Sequence, residues 1–119
     1  MRQVYVLGAG AHPWGKFPDI DQVSLARSAI AEALHDAGLT WRDVEGLVAA
    51  SSRFEGGMGW GLHGNEILQN TSEAGIACIN VGGACAAGGI AFTTAHALVA
   101  SGQYDCVIAA GAERMPKGF

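Results

Sequence analysis

Apolar positions along this chain follow two spacings, and the two alternate. Gln3 to Leu7 is a short run of β-branched and aromatic residues and reads as a buried strand. Gly8 to Asp21, broken by Gly8, Gly10, Pro13, Gly15 and Pro18, reads as loop. From Val23 the spacing becomes helical. Leu25, Ala26, Ala29, Ile30, Ala33, Leu34 and Ala37 share one face, with Arg27, Ser28, Glu32, His35 and Asp36 largely opposite. Asp21 is placed to cap this helix and Gly38 to end it.

A short capped turn over Thr40 to Asp43 leads into a second strand, Val44 to Ala50. Ser51 to Gly61 is a glycine-rich loop carrying Phe54, Met58 and Trp60. The pattern then predicts a short helix over Leu62 to Asn70 and a third strand over Ile76 to Val81. A long helix over Cys85 to Ser101 and a fourth strand over Tyr104 to Ala110 follow. Alternation of this kind predicts an α/β domain: a mostly parallel sheet with helices on both faces.

Composition adds one constraint. Half of the 119 residues are hydrophobic and 15% are charged, against about one quarter in ordinary domains. Between Glu73 and Asp105 there is no Asp, Glu, Lys or Arg. So apolar a stretch calls for cover, and the chain is expected to form part of a larger core or of a wide interface. A net charge of −4 and the lack of a basic patch exclude nucleic acid as a partner. The first residues open directly into a strand pattern without a signal-peptide core. The Ala86 to Ala100 run falls short of the roughly 20 residues a membrane span needs. Cys78, Cys85 and Cys106 are odd in number and lack metal-ligand spacing. They are expected to be free thiols in a reducing, cytoplasmic compartment.

The densest chemistry lies around Cys85. Ile79-Asn80-Val81-Gly82-Gly83-Ala84-Cys85-Ala86-Ala87-Gly88-Gly89 reads as strand, glycine turn, then a cysteine opening a buried helix. A thiol there lies near unpaired amides and the positive end of a helix dipole. Both favour the nucleophilic thiolate. The competing reading is a small buried hydrophobe. Gly82 and Gly83 are expected to make the turn, and Gly88 and Gly89 to admit a close-packed neighbouring backbone.

A cysteine nucleophile needs a base, commonly histidine. His96 is eleven residues further along the same helix, about 16 Å away along the axis, and reads as a core or interface residue. His12 and His63 fall in loops, and His35 on a polar helix face; none is a convincing partner. Gly8-Ala9-Gly10 resembles the start of a dinucleotide-binding turn, but Pro13 stands where its third glycine belongs. Lys16 and Arg114 are lone cations that read as solvated.

Four stretches together resemble the thiolase family, most closely its sterol-carrier-protein-type and lipid-transfer-protein-type branch. They are Val4 to Phe17; Ala37-Gly38-Leu39 with Asp43-Val44-Glu45-Gly46-Leu47; Asn80 to Gly88; and Gly111-Ala112-Glu113-Arg114-Met115, similar to the family's Gly-x-Glu-x-Met segment. The resemblance covers nearly the whole chain. It implies a layered subunit of two similar halves, each a five-stranded mixed sheet with helices on both faces. Residues 1–119 would then be the N-terminal part of one half, carrying the nucleophile turn.

It further implies that Cys85 takes an acyl group from acyl-CoA or 3-oxoacyl-CoA as a thioester. Coenzyme A would be cosubstrate, with no tightly bound cofactor and no metal, in thiolysis or Claisen condensation. Ala87 stands where many members carry Ser or Thr. The family's His-containing and second-Cys motifs have no match in this chain, so little activity is expected of it in isolation. A homodimer, or a complex with a chain supplying the missing half, is implied as well. Two alternatives stay open: a thiolase-fold aldolase or lyase acting on acyl-CoA derivatives of steroid side chains, and a non-catalytic acyl-CoA-binding or partner subunit.

Overall fold

The computed structural model describes residues 1–52, 61–69, 71–73 and 75–115. Phe54, Met58, Trp60 and Asn70 therefore lie outside the described residues.

The first regular element is α1, Gln22–Ala37. Asp21 caps it: its Oδ1 accepts from the Ser24 amide at 2.7 Å. Gly38 closes it in the left-handed region at φ 68°. There the Gly38 amide donates to His35 and the Leu39 amide to Leu34, at 3.1 and 2.9 Å, the paired arrangement a glycine terminus makes cheaply. The Ser24 amide holds the Asp21 carboxyl below its ordinary range. The cap therefore contributes above the usual carboxylate range and is lost as pH falls through the lowered value. Asp21→Ala is expected to cost about 1 kcal/mol near neutral pH. Chemical denaturation at pH 7 and pH 3 should show the difference from the parent shrinking at the lower pH.

After a 3-10 turn, Trp41–Asp43, come β1 (Gly46–Ser51), α2 (Gly64–Leu68) and β2 (Ala77–Gly82). A second 3-10 turn, Ala84–Ala86, runs into α3 (Ala87–Ala100), and β3 (Val107–Gly111) follows. The sheet is ordered β2-β1-β3 and both pairings are parallel. The predicted α/β architecture is present, all parallel among the described residues. All six residues of β1 are buried, as a central strand covered on both faces requires.

Side chains of β1 alternate between two apolar layers. Leu47 joins Ala26, Ile30 and Leu34 of α1, together with Leu62 and Ile67. Val48 and Ala50 pack with Ala87, Ala91 and Ala95 of α3. Helices thus cover both faces. In α1 the buried positions Ala26, Ile30 and Leu34 recur every fourth residue, along the expected stripe.

The structure corrects two expectations. Gln3 to Leu7 is not a strand of the sheet. Arg2 ties the start of the chain to the end of α3 and the turn before β3: its amide donates to Ala100, and its guanidinium donates to Val99 and Tyr104 carbonyls and pairs with Asp105. Further on, the amides of Ala9 and Ala11 donate to carboxylates of α1, Asp36 and Glu32, both at 2.9 Å. The segment is thereby held against α1 rather than paired to β3. A cavity of about 690 Å³ lies between them, and Tyr5, Val6 and Leu7 are exposed.

This arrangement also gives Gly8 and Gly10 a role. A Cβ on Gly10 would lie 2.2 Å from the Ala29 carbonyl oxygen, and one on Gly8 2.5 Å from that of Ala33. These glycines allow backbone to lie on a helix, and no phosphate need be invoked.

The second correction concerns α3. Ala87, Ala91 and Ala95 are buried against the sheet, but the opposite side is open. Phe92 is 56% exposed, and Gly88, Gly89 and His96 are exposed too. The sheet can cover only one side of this helix, and no other described element covers the second. For the same reason a Cβ at Gly88 or Gly89 would meet nothing within 4 Å, so no close-packed backbone explains these glycines here. No helix among the described residues is long and apolar enough to cross a membrane.

Candidate functional site

Parallel strands deliver their C-terminal ends to one edge, where open α/β sheets hold ligands. Register fixes which residues meet there: Ser51 is the partner of Gly82, and Ala50 of Gly111. The continuations of the three strands bring Cys85, Ser52 and Glu113 to that edge.

Cys85 lies three residues beyond β2, inside the 3-10 turn that opens α3. The turn winds continuously into the helix: the Ala86 amide donates to Gly83 at 2.9 Å and the Ala87 amide to Ala84. Cys85 is exposed among the described residues and stands at a helix start.

The backbone device differs from the expected one. Neither Gly82 nor Gly83 lies in the left-handed region; Ala84 does, at φ 48°. A left-handed alanine costs about 1–2 kcal/mol. Non-glycine residues held in that region cluster at sites where geometry matters more than local comfort. Gly83 is extended in φ at 171°.

The other cysteines are free as well and differ in character. The Cys78 residue is exposed, but its sulfur sits over Gly64, where a Cβ would come within 2.6 Å of it, and burial pushes its thiol up. Cys106 is pushed up by burial and then by the carboxylates of Asp43 and Glu45. Both are poorer thiolates than an ordinary cysteine at neutral pH.

Each histidine has its own surroundings. The His12 Nδ1 lies 2.9 Å from the Pro13 carbonyl oxygen, and its ring packs edge-on against Phe17 at 4.7 Å. His35 is exposed on α1, and His96 is exposed on α3 rather than in a core. His63 precedes α2, its amide donating to Glu66 at 3.2 Å. Of the two lone cations, Lys16 is exposed and Arg114 donates to the Pro18 carbonyl at 2.6 Å.

Sequence reasoning gave no individual role to three side chains at or beside this edge. Ser51 Oγ accepts from the Leu62 amide at 3.2 Å. Asn80 Oδ1 accepts from the Gly64 amide at 2.7 Å. Glu113 Oε1 accepts from the Ser52 amide at 2.5 Å. Their signal is polarity at strand ends or within apolar runs: Asn80 between Ile79 and Val81, Ser51 after Val48-Ala49-Ala50, and Glu113 after β3.

Residues 4–118 match the family described as thiolase, N-terminal domain. The chain belongs to the thiolase family. Among the curated relatives it matches, sterol carrier protein 2 of Gallus gallus is 34% identical over 119 residues, which is 98% of this chain and 21% of the relative. An acetyl-CoA acetyltransferase of Methanothermobacter thermautotrophicus is 31% identical over 121 residues, 97% of this chain and 30% of the relative. A non-specific lipid-transfer protein-like 2 of Caenorhabditis elegans is 29% identical over 119 residues, 98% of this chain and 28% of the relative. This thiolase-family chain thus spans less than a third of the length of each of these relatives.

Proposed function

We propose that this chain carries the nucleophile of a thiolase-type acyltransferase, and that Cys85 is that nucleophile. The observation that carries the reading is an exposed thiol, held by a left-handed Ala84 at the start of α3 on the carboxyl edge of the sheet. A relative named for acetyl-CoA acetyltransferase activity supports the substrate class.

In the proposed reaction the Cys85 thiolate attacks the thioester carbonyl of acyl-CoA. The carbonyl π electrons move onto oxygen and return as the C–S bond to coenzyme A breaks. Coenzyme A leaves as a thiolate and takes a proton, and the acyl group stays on Cys85 as a thioester. In condensation the α-carbanion of a second acyl-CoA then collects it and releases the Cys85 thiolate. In thiolysis the thiolate instead attacks the 3-oxo carbonyl of a 3-oxoacyl-CoA, the C2–C3 bond breaks with its electron pair leaving on C2, C2 takes a proton to give acetyl-CoA, and coenzyme A displaces the shortened acyl group from Cys85. A base and an oxyanion hole belong to the whole protein. The open side of α3 and the uncharged outer edge of β2 offer surfaces for its remainder and for a second copy. Three free thiols fit a cytoplasmic setting.

Iodoacetamide tests the reading in the full-length polypeptide. At pH 7, Cys85 is expected to react at least about tenfold faster than Cys78 or Cys106, whose raised thiols hold less thiolate. Acetyl-CoA should protect Cys85 and add one acetyl group to it, read by peptide mass. Equal slow labelling of all three cysteines, with no acetyl adduct, would refute catalysis and favour the non-catalytic subunit.

A further inference from the structure

Each strand of the sheet, or its continuation, places one side-chain oxygen on the backbone flanking residues 53–60. Ser51 of β1 receives the Leu62 amide, and Asn80 of β2 receives the Gly64 amide. Glu113, two residues past the end of β3, receives the Ser52 amide at 2.5 Å, across 61 positions of sequence.

The third contact differs in kind. Its acceptor is a carboxylate, and a charge-assisted bond is about twice as strong as a neutral one. It also crosses from the end of β3 to the end of β1. Ser51 lies in register with Gly82, and adjacent strands run about 4.8 Å apart. Ser52 and the Gly83-to-Cys85 turn therefore both continue from this registered pair at the same edge. A substrate whose carbonyl reaches the Cys85 sulfur would lie at the edge to which Ser52 belongs.

We propose that Glu113 is a positioning residue for the acyl donor at Cys85. It acts through the Ser52 backbone and touches no substrate itself. This rests on the acyl-transfer reading above.

The test compares Glu113→Ala and Glu113→Gln with the parent, all as full-length polypeptide. It measures Ser52 amide exchange, steady-state acyl transfer from acetyl-CoA, and iodoacetamide alkylation of Cys85. Glu113→Ala is expected to speed Ser52 exchange and raise KM by about tenfold each, the loss of one charge-assisted hydrogen bond at the low end of its range. Its Cys85 alkylation rate should stay within about twofold of the parent, since the sulfur keeps its own turn. Glu113→Gln retains an acceptor oxygen and should fall between the two. Unchanged Ser52 exchange, unchanged KM, or a Gln variant worse than the Ala variant overturns the positioning role. A parent that never acylates Cys85 overturns the functional reading together with this proposal, and is recognised before any variant is compared.

Discussion

Cys85→Ala, made in the full-length polypeptide, is expected to lower kcat for acyl transfer by at least about 10³-fold while leaving the fold in place. The two halves of that expectation rest on different observations. Cys85 is exposed and lies in a short turn, so trimming its sulfur removes little packing; surface changes of this kind usually stay within about 0.5 kcal/mol. The chemical loss is large because the thioester intermediate cannot form, and deleting a nucleophile in a comparable covalent enzyme costs on the order of 10⁶ in kcat. A residual rate through direct attack of the acceptor on the bound donor, set by binding and electrostatics alone, justifies the lower bound. Cys85→Ser should be nearly as inactive, since a hydroxyl without an activating base is a weak nucleophile. Steady-state rates with an unchanged thermal midpoint would check this. Activity within tenfold of the parent would show that the acyl group never resides on this sulfur.

What the sequence disclosed, and what it concealed, follows from the range of the forces involved. α1 was legible because its apolar stripe, its Asp21 cap and its Gly38 terminus are all local signals. β1 and β2 were legible as apolar runs between glycine-rich breaks. The turn at Cys85 was legible as a place; its mechanism was not. Glycines at 82 and 83 suggested where the unusual backbone angle would fall, yet Ala84 takes it, because φ depends on how the strand must enter the helix.

Gln3 to Leu7 failed for a related reason. Its composition suits a strand, but its placement depends on Arg2, Asp36 and Glu32, whose contacts lie 21 to 103 positions away in sequence. The edge contacts of Ser51, Asn80 and Glu113 are also long-range, and no periodicity announces them. Where the cover of α3 lies was not legible, because an apolar helix looks the same in sequence whether its cover is in this chain or elsewhere.

Leu47→Ala should produce the largest stability loss of any single truncation in the sheet, about 2–5 kcal/mol. Leu47 is fully buried at 0% exposure, on a strand with partners along both edges, Cys78 on one side and Ile108 on the other. Its side chain lies in the layer shared by Ile30, Leu34, Leu62 and Ile67. Those neighbours come from two helices and the segment before α2, all fixed by caps or ladders, so little can move inward to fill the space. The cost then includes the cavity as well as the lost transfer energy. Against a typical total of about 5–15 kcal/mol, that is a large share. Urea unfolding should show a lower midpoint with the slope retained, the mark of lost stability rather than of a changed end state. A loss below about 1 kcal/mol would mean that this layer collapses around the gap, and that Leu47 is not the centre of the packing that holds β1, and with it the Ser52 edge beside Cys85, in place.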